Sequence, residues 1–72
     1  MLAVGELVEY LDGRYPGVDW TDAELSRRVA VSRDVVKRWR ERGMPWSEAD
    51  EIAVALGVHP CRIWPQWFVL PS

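Results

Sequence analysis

The spacing of apolar residues along the chain predicts helices and no strand. Near the start, four apolar residues lie at the i, i+3, i+4 and i+7 positions of one helix face: Val4, Leu7, Val8 and Leu11. This spacing predicts an amphipathic first helix that ends near Asp12-Gly13. The segment Tyr15-Pro16-Gly17 then has the composition of a turn.

Two short helices are predicted in the middle of the chain, each preceded by a capping residue. Thr21 is followed three residues later by Glu24, which is the spacing of a capping box. Ser32 is the expected N-cap of the next helix, and Ala30-Val31 connects the two helices. Gly43 ends the second of these helices, because glycine readily takes the backbone conformation found after a helix.

A fourth helix is predicted after Met44-Pro45, with Ser47 as its cap. Its inward residues are expected at helical spacing: Ala49, Ile52, Ala53 and Leu56. Gly57 closes this helix, and Pro60 suits the first position of a short final helix, with His59 as its cap. The pattern as a whole predicts an all-α, compact bundle of four to five helices.

The composition is consistent with one small domain that spans residues 1–72. Apolar residues make up 49% of the chain, and its five tryptophans offer large surfaces for a core. Trp20, Trp39, Trp46 and Trp64 are expected to pack inside.

Cys61 is the only cysteine, which favours a reducing, cytoplasmic setting. No apolar run approaches the length of a membrane span.

The charge is distributed unevenly, although the whole chain carries a net charge of −2. Residues 21–42 hold seven basic and four acidic groups, a net charge of +3, whereas residues 1–20 carry −3 and residues 43–72 carry −2. The middle of the chain is therefore a local positive region, and the local field decides where a polyanion would bind.

Residues 22–41 fit the twenty-residue pattern of a helix-turn-helix, in which two short helices are joined by a tight turn. Apolar residues occupy the positions that fix the angle between the helices: Leu25, Val29, Val31, Val36 and Trp39. Ser26 stands where the helices cross, and Ala30 stands in the turn, where glycine is commoner. Ala30 would cost a modest amount of stability if the turn is left-handed there.

The segment "ADEIAVALGVHPCRIWPQWF", residues 49–68, resembles the end of phage regulators of the Ner type and of small phage repressor-like proteins. In those families a helix that ends in Leu-Gly-Val is followed by His- or Asp-Pro and then by Ile/Leu-Trp-Pro. The resemblance implies a lambda-repressor-like fold in which the second and third helices bind DNA. The segment "RWRERGMP" is also similar to the third helix of excisionases and MerR-like domains.

The helix-turn-helix interpretation assigns a role to each outward residue of this unit. The residues expected to read base edges are Ser32, Arg33, Asp34, Lys37 and Arg38. The residues expected to bind phosphates are Arg27, Arg28, Arg40 and Arg42. We expect no cofactor and no metal, because one histidine and one cysteine do not make a zinc site.

The sequence therefore predicts a sequence-specific, double-stranded DNA-binding transcriptional regulator of phage or prophage type that inserts helix 32–42 into the major groove. A homodimer is expected, because one such unit has a small footprint. The apolar run at the end of the chain either folds back on the core or contacts a second copy: Trp67, Phe68, Val69 and Leu70.

An alternative interpretation is a protein-interaction module that keeps a helix-turn-helix scaffold and binds a host protein through acidic or apolar surfaces. The acidic residues that would serve it flank the basic region: Glu6, Glu9, Asp12, Asp19, Glu48, Asp50 and Glu51. An enzyme is not expected, because the sequence lacks a phosphate-binding glycine loop and a recognisable set of catalytic residues.

Overall fold

The computed structural model of the protein describes residues 1–68. These residues form four α-helices and a short 3₁₀-helix: α1 (Val4–Arg14), α2 (Asp22–Val29), α3 (Arg33–Arg42), α4 (Trp46–Ala55) and the 3₁₀-helix (Pro60–Arg62). Within this described part there is no strand, only an isolated antiparallel bridge between Leu2 and Met44. The radius of gyration of 11.5 Å is close to the value of about 11 Å for a folded chain of this length. The prediction of a compact all-α protein is confirmed.

The caps of α2 and α3 follow the sequence prediction. The Thr21 hydroxyl accepts a hydrogen bond from the Glu24 backbone N–H at 3.2 Å, and the Ser32 hydroxyl accepts one from Val35 at 3.3 Å. The reciprocal half of the predicted capping box does not form. The Thr21 N–H donates to the Asp19 carbonyl instead, and the Glu24 carboxylate contacts arginines one turn further along α2.

The connection between α2 and α3 is a tight turn of three residues. Ala30 has φ 57° and ψ 43°, so it lies in the left-handed region that the sequence interpretation anticipated. The Val31 N–H donates to the Ser26 carbonyl at 3.0 Å, which closes the end of α2. The buried Ser26 hydroxyl donates to the Ala23 carbonyl at 2.9 Å. A small residue is needed at position 26, because the side chain is enclosed between the helices.

The start of α4 differs from the prediction. The helix begins at Trp46, and Pro45 rather than Ser47 precedes its first turn, without a side-chain cap. The Pro45 carbonyl accepts the first helical hydrogen bond from the Ala49 N–H at 3.0 Å. Proline is compatible with this position because its fixed φ agrees with the extended backbone that leads into a helix. The other predicted cap is confirmed, since His59 Nδ1 accepts a hydrogen bond from the Cys61 N–H.

One face of each α-helix packs into a common hydrophobic core. Its buried residues are Leu2, Val4, Leu7, Leu11, Leu25, Val29, Val36, Trp39, Met44, Ala49, Ile52, Ala53, Ile63 and Trp64. The two largest, Trp39 and Trp64, have essentially no exposed surface, which confirms their assignment to the core. Trp20 and Trp46 are half-buried and pack against the same cluster. The inward face of α3 is thus fixed by large apolar contacts.

The segment before α1 and the segment after the 3₁₀-helix meet near the C-terminal end of α3, in a region that we call the terminal corner (Leu2, Ala3, Gly43, Met44 and Trp64). Leu2 and Met44 exchange two backbone hydrogen bonds, at 2.9 and 2.7 Å. Trp64 Nε1 donates to the Ala3 carbonyl at 3.0 Å. These contacts hold the segment before α1 between the end of α3 and the segment after α4.

None of the helices in residues 1–68 has the length and apolar character needed to cross a membrane.

Candidate nucleic-acid interface

Helix α3 has one face in the core and the opposite face in solvent. Val36 and Trp39 are buried on the inner side, and Val35 is half-buried at its edge. All residues that the sequence predicts to read bases are exposed: Ser32, Arg33, Asp34, Lys37 and Arg38. Four of them follow the i, i+1, i+4, i+5 spacing, which places them on one stripe of the helix. The structure therefore brings the predicted base-reading residues together on one accessible surface.

This surface is positive, whereas α2 has no net charge and α4 is negative. Helix α3 contains five basic and two acidic residues, a net charge of +3. Helix α4 contains three acidic residues and no basic one. The local field therefore favours an approach of a polyanion to α3 rather than to α4.

Arg33 and Lys37 on this stripe are available to an external partner. Neither side chain forms an ion pair with any residue of the described part of the chain, and the same holds for Arg42 at the end of the helix. The Ser32 hydroxyl uses its oxygen as the helix cap, and its proton remains able to donate.

The arginines of α2 share one carboxylate. Glu24 accepts hydrogen bonds from Arg27 Nη2 and, at 3.2 Å, from Arg28 Nε. The hydrogen bond from Arg27, aided by Arg28, lowers the pKa of the Glu24 carboxyl below its usual value and outweighs the opposing effect of burial. Arg28 also lies over the Tyr15 ring, 4.7 Å from its centroid, whereas the Arg27 side chain is 72% exposed. Arg27 is thus the more accessible of the two predicted phosphate ligands.

Arg40 links α3 to the beginning of α2. Its Nε donates to the Asp22 carboxylate, and its Nη2 donates to the Trp20 carbonyl at 3.0 Å. Sequence reasoning assigned Arg40 only to phosphate binding. The structure shows that this side chain also connects two helices through hydrogen bonds. Only its remaining N–H groups are left to contact a phosphate.

Glu48 on α4 is a member of this site that sequence reasoning did not identify. Its Oε1 atom accepts from Arg38 Nη2 at 3.5 Å and from the Trp39 indole Nε1 at 3.4 Å. The sequence alone predicts that Glu48 belongs to the acidic surface of the alternative protein-interaction module. The short connection between α3 and α4 was the available signal, because it brings the first turn of α4 beside the end of α3.

The two described residues of the apolar run near the end of the chain, Trp67 and Phe68, differ in their packing. The Trp67 ring lies 4.8 Å from the Trp46 ring and 6.5 Å from the Trp64 ring, measured between centroids. Phe68 stacks on His59 at 5.3 Å but remains 74% exposed. Of the four predicted self-association residues, Trp67 therefore folds back on the protein, and Val69 and Leu70 lie outside the described residues.

Residues 1–68 contain no cluster of three or more histidine, cysteine, aspartate or glutamate side chains with the geometry to hold a metal ion.

Comparison of the chain with protein-family models, with curated proteins and with solved structures finds no match. The functional interpretation therefore rests on the geometry of this site and on the sequence motifs.

Proposed function

We propose that this protein is a sequence-specific, double-stranded DNA-binding transcriptional regulator of the phage or prophage type. In this proposal α2 and α3 form the helix-turn-helix of a lambda-repressor-like domain, and α3 enters the major groove. The tight turn at Ala30, the small buried Ser26 and the buried apolar face of α3 support this assignment.

The observation that carries the proposal is the pair of cations on the exposed stripe of α3. Arg33 and Lys37 lie one turn apart, project from the N-terminal half of the helix and have no ion-pair partner within residues 1–68. The N-terminal half of a recognition helix is the part that contacts base edges. An arginine there can donate two hydrogen bonds to guanine O6 and N7, and Asp34 can accept one from a cytosine amine.

Phosphate contacts are proposed at the margins of this stripe. Arg27 in the last turn of α2 and Arg42 in the last turn of α3 are both exposed. Arg28 and Arg40 also retain N–H groups that can bind a phosphate, although Arg28 pairs with Glu24 and Arg40 pairs with Asp22. Such contacts fix the register of the protein on the duplex and carry no sequence information.

A homodimer on an inverted repeat completes the proposal. One α3 helix spans a single half-site, so two copies are needed for a footprint of useful specificity. The exposed Phe68 ring is the described residue of the terminal run that is available for contact with a second copy.

The test is selection of binding sites from a random duplex library, followed by titration of the selected duplex at several salt concentrations. We expect one enriched motif and a steep loss of affinity as salt rises, because bound phosphates release counterions. Arg33→Ala should change the base preference at one position, at a cost of about 1–3 kcal/mol for the preferred base. Arg27→Ala should weaken all sequences alike and reduce the salt slope by about 1.

Failure to enrich any motif would reject this function. If the purified protein instead retained a host protein in a complex that salt hardly weakens, the protein-interaction module would be favoured.

A further inference from the structure

We infer that Glu48 of α4 is a positioning residue for the base-reading surface, because it orients the Arg38 guanidinium beside α3. This inference rests on the proposed DNA-binding function and adds to it a specificity-determining residue outside the recognition helix. It follows from three features of the structure: the contacts of Glu48, the donors that Arg38 retains and the distribution of charge on α4.

Glu48 is held in place by a second contact. Its Oε1 atom accepts from the indole Nε1 of Trp39, and Trp39 is buried in the core with 1% of its surface exposed. The indole cannot move without disturbing that core, so it anchors the carboxylate next to α3. The same oxygen accepts from Arg38 Nη2 at 3.5 Å. Glu48 therefore connects a buried core residue to an exposed arginine.

Contact with Glu48 leaves Arg38 competent to recognise guanine. A guanidinium carries five N–H donors, and two of its edges present a pair of parallel N–H groups. Nη2 contributes one hydrogen to each of these edges. Whichever of the two hydrogens faces Glu48, the other edge keeps both donors for guanine O6 and N7. The carboxylate thus favours one orientation of the Arg38 side chain and leaves enough N–H donors free to bind guanine.

Orientation before binding reduces the entropy that a long side chain loses on recognition. The Arg38 side chain is 54% exposed, and without a partner it would sample many rotamers. The other two acidic residues of α4, Asp50 and Glu51, are exposed and form no ion pair with another residue of the described part of the chain. They provide a control with the same charge on the same helix.

The experiment measures relative affinities for duplexes that differ at each base pair of the selected motif. It compares the wild type with Glu48→Gln, Glu51→Gln, Arg38→Ala and the double variant Glu48→Gln/Arg38→Ala. Glutamine at position 48 keeps an oxygen that can accept from Trp39 and removes the charge that holds Arg38. Thermal melting of each variant shows whether the fold is retained.

At the base pair read by Arg38, we expect Glu48→Gln to reduce the preference for the selected base over the other bases by about two- to fivefold. This fold-change corresponds to the free energy that an exposed ion pair contributes. In the Arg38→Ala background the same substitution should leave the discrimination unchanged, since its target is absent. Glu51→Gln should change the affinity for all sequences equally.

The inference is overturned if Glu48→Gln behaves like Glu51→Gln, with equal effects on all sequences, or if its effect persists in the Arg38→Ala background. Both results are distinguishable from failure of the proposed function, because then the wild type itself would select no motif.

Discussion

The two ends of α3 are stabilised in different ways. Its C-terminal end leads into the terminal corner, where Met44 packs with the buried Leu2 and Trp64 from distant parts of the chain. Its N-terminal end is held by the local Ser32 cap, by the turn at Ala30 and by the buried Val36, and the outer face of its first two turns remains exposed. Backbone contacts with a distant segment thus close the C-terminal end, whereas the outer face of the N-terminal half is left accessible to a partner. Substitutions at the two ends should therefore differ in their effect on folding.

The largest loss of stability is expected from Trp64→Ala in the terminal corner. Removing a fully buried tryptophan costs about 3–5 kcal/mol, which is a large part of the total for a domain of this size. Chemical denaturation monitored by circular dichroism would measure it.

The variant Trp64→Phe separates the hydrogen bond from the packing and guards against complete unfolding. It retains an aromatic ring but leaves the Ala3 carbonyl without its indole donor, and we expect a loss of about 1–3 kcal/mol. A stability equal to the wild type would show that the link between Trp64 and Ala3 does not support the corner.

The next largest effect is expected from Gly43→Ala at the end of α3. Gly43 has φ 89° and ψ 173°, a region that is almost restricted to glycine and costs other residues about 1–3 kcal/mol. A Cβ atom there would also lie 2.8 Å from Met1 Cβ and 3.1 Å from the Leu2 carbonyl oxygen, so the bridge between Leu2 and Met44 must shift.

Gly57→Ala is the matched control for this substitution. Gly57 also has a positive φ, of 77°, but a Cβ atom there would meet nothing within 4 Å. Its cost should be confined to about 1–2 kcal/mol of backbone strain. If denaturation gave the two variants the same stability, close packing at the terminal corner would not be the reason for Gly43.

A smaller effect of opposite sign is expected from Ala30→Gly at the N-terminal side of α3. Glycine relieves a left-handed strain of about 1–2 kcal/mol, but the greater freedom of the unfolded chain costs about 0.4–1 kcal/mol, so the net gain in stability should be at most about 1.5 kcal/mol. This corresponds to a rise in Tm of a few degrees. Ala23→Gly, within helix α2, should instead destabilise the protein, and a loss of stability in both variants would contradict the strain at Ala30.

The smallest effect is expected from Glu24 on α2 and depends on pH. Arg27 and Arg28 lower the pKa of the Glu24 carboxyl in the folded protein. The stabilisation of the folded state by this carboxylate is therefore fully present above its unfolded pKa of about 4.3. The contribution is lost as the pH falls through the lower pKa of the folded state. Thermal melts should therefore show a difference between wild type and Glu24→Gln at neutral pH that disappears in acid. A difference that stays constant down to the lowest pH would exclude the two ion pairs as its cause.

Much of the fold could be predicted from local signals. The positions of α1, α2 and α3 follow from apolar periodicity, and the caps at Thr21, Ser32 and His59 act through atoms only two or three residues away. The start of α4 was predicted wrongly, because the Ser47 hydroxyl is a generic cap signal whereas the Pro45 carbonyl takes the first helical hydrogen bond. The exposed stripe of α3 also follows from periodicity, since residues one turn apart share a face.

The sequence by itself determined the helices, their capping residues and the concentration of positive charge on α3. Those properties depend on neighbours within a turn or two, or on composition alone. Only the tertiary structure decided which arginines have partners on other helices, since Arg40 meets Asp22 and Arg38 meets Glu48. It also decided that Leu2 pairs with Met44 after α3 and that Trp64 contacts Ala3. Such contacts depend on how the helices pack together, and no local pattern in the sequence encodes them.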